Sequence, residues 1–178
     1  SNDGTPRFPD AFVPSEELDL FLARKTASSA MVEDLSMLPI PFAAPATNLV
    51  TGKRVVMQKD CTLSQAMRAS MSVPGAFSPA KRGDDLLVDG GLVDNLPVEL
   101  AREMGADIVI AVNVGTPLSG REQLNDVVGV MSQMVNLLTE QNVTASLASL
   151  SDRDILIRPE LKDYTSADLD KSREIIAV

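Results

Sequence analysis

Residues 86–115 read LLVDGGLVDNLPVELAREMGADIVIAVNVG, and the order of apolar runs and helix signals in this stretch decides the fold class. The apolar run at 86–88 predicts a short strand. A helix is predicted over 97–104, between a proline suited to a first turn and a glycine suited to a helix end. The run at 106–115 is rich in β-branched residues and shows no polar alternation until Asn113, which predicts a parallel strand buried on both faces. Strand, helix and strand in this order indicate an α/β layer protein.

Downstream of this stretch, a long helix and a last strand are expected. Ser119 and Glu122 have the spacing of a capping box, and apolar residues then repeat at three and four up to about residue 150. The run DILIRP at 154–159 predicts a short strand that a proline ends. A terminal helix is expected from Thr165 or Ser166.

Upstream, residues 1–14 read as an irregular leader, of which the first two residues look like a cloning remnant, and a helix should begin at Ser15. Three prolines restrict Phe42–Leu49 to an irregular or edge strand. A hairpin turn at 51–53 leads into a second strand over 54–58. A second capping box, TLSQ at 62–65, opens a helix that reaches about residue 71.

Composition excludes several classes of function. The chain has 178 residues, a net charge of −9 and scattered basic residues, which argues against nucleic acid as a partner. It has no histidine, so neither a Ser-His-Asp triad nor the commonest zinc sites can form within it. Its aspartates fit no calcium loop, and we expect neither a metal nor a cofactor. A single cysteine, Cys61, allows no internal disulfide.

Asp89 is the candidate functional residue, because it follows directly on the strand at 86–88. Ligands of open α/β sheets bind beyond the carboxyl ends of the strands, and an apolar surround would raise the pKa of this carboxyl and make it a better base. Gly90 and Gly91 allow a sharp turn and a close approach by another backbone. Aspartate and glycine are also common in plain turns, and on the motif alone the turn is the better interpretation.

The wider sequence resembles bacterial patatin-like phospholipases. The matching features are spaced motifs over most of the chain: Arg68-Ala-Ser70, Ser72-Val-Pro74-Gly75-x-Phe77, the Asp89-Gly-Gly block, Asn95-x-Pro97 and the strand ending at Gly115. The resemblance implies a three-layer α/β/α sandwich and a serine acyl hydrolase with a Ser-Asp dyad. It also implies that Asp89 is the general base, with Gly90, Gly91 and Asn95 supporting its turn.

The sequence departs from that family in one respect. No serine has glycine both two residues before and two residues after it, so the Gly-x-Ser-x-Gly nucleophile elbow is absent. We therefore expect residues 15–178 to be the C-terminal part of a patatin-like domain, without its first strand and elbow, and inactive alone. Such a fragment would self-associate along the strand at 106–115 or retain the missing segment.

The expected partner is a phospholipid or another acyl ester, with transient contact to a membrane surface. The chain end is similar to bacterial domains that are exported and joined to an outer-membrane barrel, whereas cytoplasmic relatives share the central motifs, so both compartments stay open. The rival hypothesis is a non-catalytic α/β binding or interaction module, in which Asp89 only closes a turn.

Overall fold

The computed structural model describes residues 15–161 together with Lys171 and Ile176. These residues divide into two compact units, one ending at Val93 and the other beginning at Asp94. The expected leader at 1–14 and the expected start of a terminal helix lie outside the described residues. The helices are α1 Ser15–Lys25, α2 Leu63–Ser70, α3 Gly91–Asp94, α4 Val98–Glu103 and α5 Val127–Ala148; short 3-10 helices span Ala27–Ser29, Leu35–Met37 and Arg121–Gln123; the strands are β1 Ala44–Asn48, β2 Arg54–Met57, β3 Ala80–Arg82, β4 Asp85–Asp89, β5 Ile110–Val112 and β6 Ile155–Ile157.

The first unit contains a four-stranded antiparallel sheet in the order β2-β1-β4-β3. Strand β1, which contains Pro45, is therefore central, and the expectation of an edge strand was wrong. The Leu49 N–H donates to the Leu86 carbonyl at 2.8 Å. The backbone N–H and carbonyl groups of odd-numbered residues in this segment therefore point toward β4. Position 45 would face β4 just past Asp89, where the ladder between the two strands ends. Pro45 is tolerated because no ladder partner needs its missing N–H.

Helix α2 covers the sheet of the first unit and supplies part of its core. The predicted capping box is present: the Gln65 N–H donates to the Thr62 hydroxyl, and the Thr62 N–H donates to the Gln65 side chain at 2.8 Å. The helix packs its small residues on β1 and β4. The buried cluster of this unit is Leu35, Ala46, Met57, Cys61, Ala66, Ala69 and Leu87.

The second unit holds the parallel pair β5 and β6, with Ile110 opposite Ile155. The parallel pairing of this strand was predicted correctly, but its burial on both faces was not. Ala111 is 4% exposed, whereas its neighbours Ile110 and Val112 are 62% and 47% exposed. One face of the pair packs against a core and the other is open. The buried residues of this core are Leu96, Val98, Val109, Ala111 and Val143.

A buried carboxylate holds together the starts of the parallel strands β5 and β6. The side chain of Asp154 is fully inaccessible and pairs with the Arg102 guanidinium at 2.6 Å. It also accepts the N–H groups of Ser151 at 2.7 Å and Val109 at 2.8 Å, and these bonds hold its pKa well below the usual range. Asp154 thereby joins the residue before β5 to the residue before β6 and sets their register.

The starts of two helices differ from the expected ones. Helix α4 begins at Val98 with Pro97 at the N-cap position, and the Asn95 N–H donates to the Asn142 side chain at 2.8 Å. The long helix begins at Val127 rather than at Ser119. Asp126 caps it by accepting the Gly129 N–H at 2.6 Å, a bond that aspartate makes well at this position. None of the described helices is both long enough and apolar enough to cross a membrane.

Candidate active site

Asp89 is the last residue of β4, and its main chain is held from both sides. On one side it lies opposite Ala46, and its carbonyl accepts the Thr47 hydroxyl at 2.8 Å. On the other side its N–H donates to the Ser72 carbonyl at 3.0 Å, in the segment that follows α2. The aspartate therefore stands at the carboxyl end of an inner strand, with its main chain fixed by the segments on both sides.

The carboxyl group of Asp89 is half-buried, and burial raises its pKa above the ordinary value. The Gly91 N–H donates to its Oδ1 at 2.6 Å and partly opposes this rise. A raised pKa makes the carboxylate a stronger proton acceptor near neutral pH, which is what a general base requires. The direction of the shift is the one expected from an apolar surround.

Another backbone lies very close to Gly90, as the sequence predicted for the glycine pair. A β-carbon added to Gly90 would lie 2.1 Å from the Pro45 carbonyl oxygen, so no side chain fits there. The Gly90 N–H donates to the Ser70 carbonyl at 3.2 Å. Gly91 begins α3 and supplies the N–H that binds the Asp89 carboxylate.

Sequence reasoning gave no role to Arg68, although the motif around it was recognised. The structure buries this side chain, which is 8% exposed, at the end of α2. It contacts Asp19, Ser72 and Ser78. The available signal was a charged residue in the last turn of a helix, between Met67 and Ala69, but this pattern is also typical of a solvent-exposed arginine.

The predicted site residues fall into both units of the structure. Asp89, Gly90 and Gly91 come together within one turn, whereas Asn95 belongs to the second unit. Among the described residues, no group of three or more acidic, histidine or cysteine side chains is placed to hold a metal ion. A cavity in the first unit is lined by residues of α1, α2 and the hairpin β3–β4, and Arg68 is among them. Asp89 is not part of that lining.

Comparison with known proteins identifies the family of the chain. The sequence profile described as patatin-like phospholipase matches residues 1–102, which is more than half of the chain. An NTE family protein of Mycobacterium bovis is 40% identical over 86 residues, covering 48% of this chain and 24% of that protein.

Two eukaryotic relatives show the same likeness. The patatin-like phospholipase domain-containing protein 7 of Mus musculus is 31% identical over 171 residues, covering 83% of this chain and 12% of that protein. The lysophospholipase NTE1 of Debaryomyces hansenii is 33% identical over 134 residues, covering 63% of this chain and 9% of that protein. The chain spans about a quarter or less of the length of these curated relatives. With more than half of its residues matched by the family profile, the chain belongs to the patatin-like phospholipase family.

Proposed function

We propose that this chain is the C-terminal part of a serine acyl hydrolase that cleaves carboxylic esters of lipids, with Asp89 as the base of a Ser-Asp dyad. The observation that carries the proposal is the position of Asp89 at the end of β4 with a pKa raised by burial. The family profile and the relatives named as phospholipase and lysophospholipase support a lipid ester as substrate.

In this proposal the nucleophile is a serine outside the present sequence. Asp89 accepts the proton of the serine hydroxyl as Oγ attacks the ester carbonyl carbon. The tetrahedral intermediate then expels the alcohol, which takes the proton from Asp89 and leaves an acyl-serine. Water attacks that ester, Asp89 again accepts the proton, and its return to the serine releases the fatty acid.

The fixed main chain of Asp89 suits this role. A base must stay within hydrogen-bond distance of the proton it removes. The bonds from Thr47 and to Ser72 hold the residue on both sides, and the Gly91 N–H orients Oδ1. Little reorganisation of the carboxylate is then needed when the substrate binds, which lowers the entropic cost of the reaction.

The proposed partners follow from the same reaction. The substrate is a phospholipid or another acyl ester, and the protein meets it by transient contact with a membrane or micelle surface. The chain with its net charge of −9 should favour zwitterionic or neutral lipid surfaces over anionic ones, because like charges repel.

One observation favours a second candidate function. The bond from the Gly91 N–H to Asp89 Oδ1 spans two residues, which is the geometry by which aspartate closes an ordinary turn. In a non-catalytic binding or interaction module, that bond would be the whole purpose of Asp89.

Hydrolysis by the complete protein separates the two candidates. The upstream reading frame should first be checked for Gly-x-Ser-x-Gly. Hydrolysis of a p-nitrophenyl ester and of a phospholipid is then measured for the complete protein, Asp89→Asn and Asp84→Asn. Asp84 lies exposed in the turn before β4 and serves as a matched control. We expect Asp89→Asn to lose about 10² to 10⁴ in rate, the usual effect of removing a general base. Full activity in Asp89→Asn would support the second candidate function, in which Asp89 only closes a turn.

A further inference from the structure

The segment between α2 and residue 78 links the main chain of Asp89 to a buried arginine. The N–H groups of Asp89 and Gly90 donate to the carbonyls of Ser72 at 3.0 Å and Ser70 at 3.2 Å. Ser70 is the last residue of α2, and Ser72 lies two residues after it. The position of the aspartate therefore depends on where this short segment lies.

Ser72 is the middle of the link. Its side chain is fully buried, and its hydroxyl donates to the Arg68 carbonyl at 2.6 Å. The Arg68 Nη1 in turn contacts the same hydroxyl oxygen as a donor. This pair of bonds closes a ring between the last turn of α2 and the residue whose carbonyl receives the Asp89 N–H.

The guanidinium of Arg68 binds in two further directions. Nη2 donates to the Ser78 carbonyl at 2.9 Å, and Nε forms an ion pair with Asp19 Oδ1 at 3.0 Å. The ring of Phe77 lies 6.0 Å from the guanidinium carbon. A planar fork of donors can reach α1, Ser72 and the loop at once, whereas the single ammonium group of lysine cannot.

We propose that Arg68 is a positioning residue for Asp89. It fixes the carbonyls of Ser70 and Ser72, and these fix the Asp89–Gly90 peptide. Arg68 itself does not touch the carboxylate, and its charge is not among the causes of the Asp89 pKa shift. Its influence on the reaction is geometric, and this role rests on the proposed function of Asp89.

Hydrogen exchange tests the link without any activity. Amide exchange is compared between the wild-type chain and the variants Arg68→Lys and Ser72→Ala. The exchange rate of an amide reports how often its hydrogen bond opens. We expect the amides of Asp89 and Gly90 to exchange about tenfold faster in both variants, relative to the Asn48 amide. The internal reference is the Asn48 N–H at the end of β1, which donates to the Lys53 carbonyl just before β2. Equal acceleration of all three amides, or no acceleration, would overturn the proposal.

Two further variants sharpen the comparison. Asp19→Asn removes only the partly exposed partner of the ion pair, so it should keep the fold and give a smaller effect of the same kind. Arg82→Lys is the control, because Arg82 donates to the Lys59 carbonyl and not to the segment at 70–78. The Asp89 and Gly90 amides should keep their wild-type exchange in Arg82→Lys, and acceleration there would count against a specific role of Arg68.

Kinetics of the complete protein test the consequence for catalysis. In Arg68→Lys we expect kcat to fall about tenfold to a hundredfold with KM nearly unchanged, because a misplaced base affects the chemical step. Arg82→Lys should keep the wild-type kcat. An unchanged kcat in Arg68→Lys, while Asp89→Asn is inactive, would refute the positioning role of Arg68 and leave the proposed role of Asp89 intact. Full activity in Asp89→Asn would refute the proposed function, whatever the exchange data show.

Discussion

Gly90 lies so close to β1 that a β-carbon at this position would stand 2.1 Å from the carbonyl oxygen of Pro45. The contact is between two backbones, so no flexible side chain can move to relieve an overlap. The residue after Asp89 must therefore be glycine if β1 and β4 are to keep their distance.

A Gly90→Ala substitution should destabilise the first unit by about 1–3 kcal/mol, the usual cost of forcing extra atoms into a packed site. It should also displace Asp89, because the overlap separates the end of β4 from β1. Urea unfolding followed by circular dichroism measures the free energy of unfolding. The proposed ester hydrolysis by the complete protein should fall as well.

Gly120→Ala is the control for this prediction. Nothing lies within 4 Å of a β-carbon added there, so its free energy of unfolding should stay within about 0.5 kcal/mol of the wild type. Gly90→Ala protein as stable as Gly120→Ala would show that β1 can move away at little cost.

The open face of β5 and β6 leads to a prediction about association. Ile110, Val112, Ile155 and Ile157 are between 45% and 62% exposed, and within the described residues β5 pairs with β6 alone. Exposed apolar strands with a free edge promote pairing with another chain. We expect this chain to self-associate as its concentration rises, as measured by sedimentation velocity, through contact with a second copy.

Two lysines on the open face should prevent that association. In the Ile110→Lys/Val112→Lys variant both substituted side chains are exposed, so folding should be retained while the copies repel each other. Met31→Lys, which changes a 94% exposed methionine in the first unit, should associate like the wild type. A wild-type chain that stays monomeric throughout the concentration series would show that this face does not mediate self-association.

Local signals in the sequence predicted local structure well. The capping box of Thr62 and Gln65 needs only residues three positions apart, and both of its bonds are present. The mixed α/β class and the strand ending at Asp89 follow from apolar runs and the glycines after them. The raised pKa of Asp89 followed from the apolar residues before it in the chain.

The errors concern contacts between distant residues. Proline predicts an edge strand only if its missing N–H would face a ladder partner, and for Pro45 that depends on where β4 ends. Burial on both faces of β5 required a second covering layer, which the described residues do not provide. The burial of Arg68 also involves contacts to Asp19 and the Ser78 carbonyl, which no spacing rule connects with it.

The raised pKa of Asp89 should cost stability at neutral pH. Because burial raises this pKa in the folded protein, the folded state binds the proton more tightly than the unfolded chain does. The resulting stability is fully present below the unfolded value of 3.8 and is lost as pH rises through the folded pKa. Asparagine has no charge to bury and can still accept the Gly91 N–H through its oxygen. Asp89→Asn should therefore become more stable than the wild type as the pH rises from 3.8 to neutrality, as measured by urea unfolding at a series of pH values.

Asp34→Asn should show the opposite trend, because bonds from Ser36 lower the pKa of Asp34. A stability difference between Asp89→Asn and wild type that does not change with pH would contradict a raised pKa at Asp89, and with it the physical basis for assigning this residue as a base.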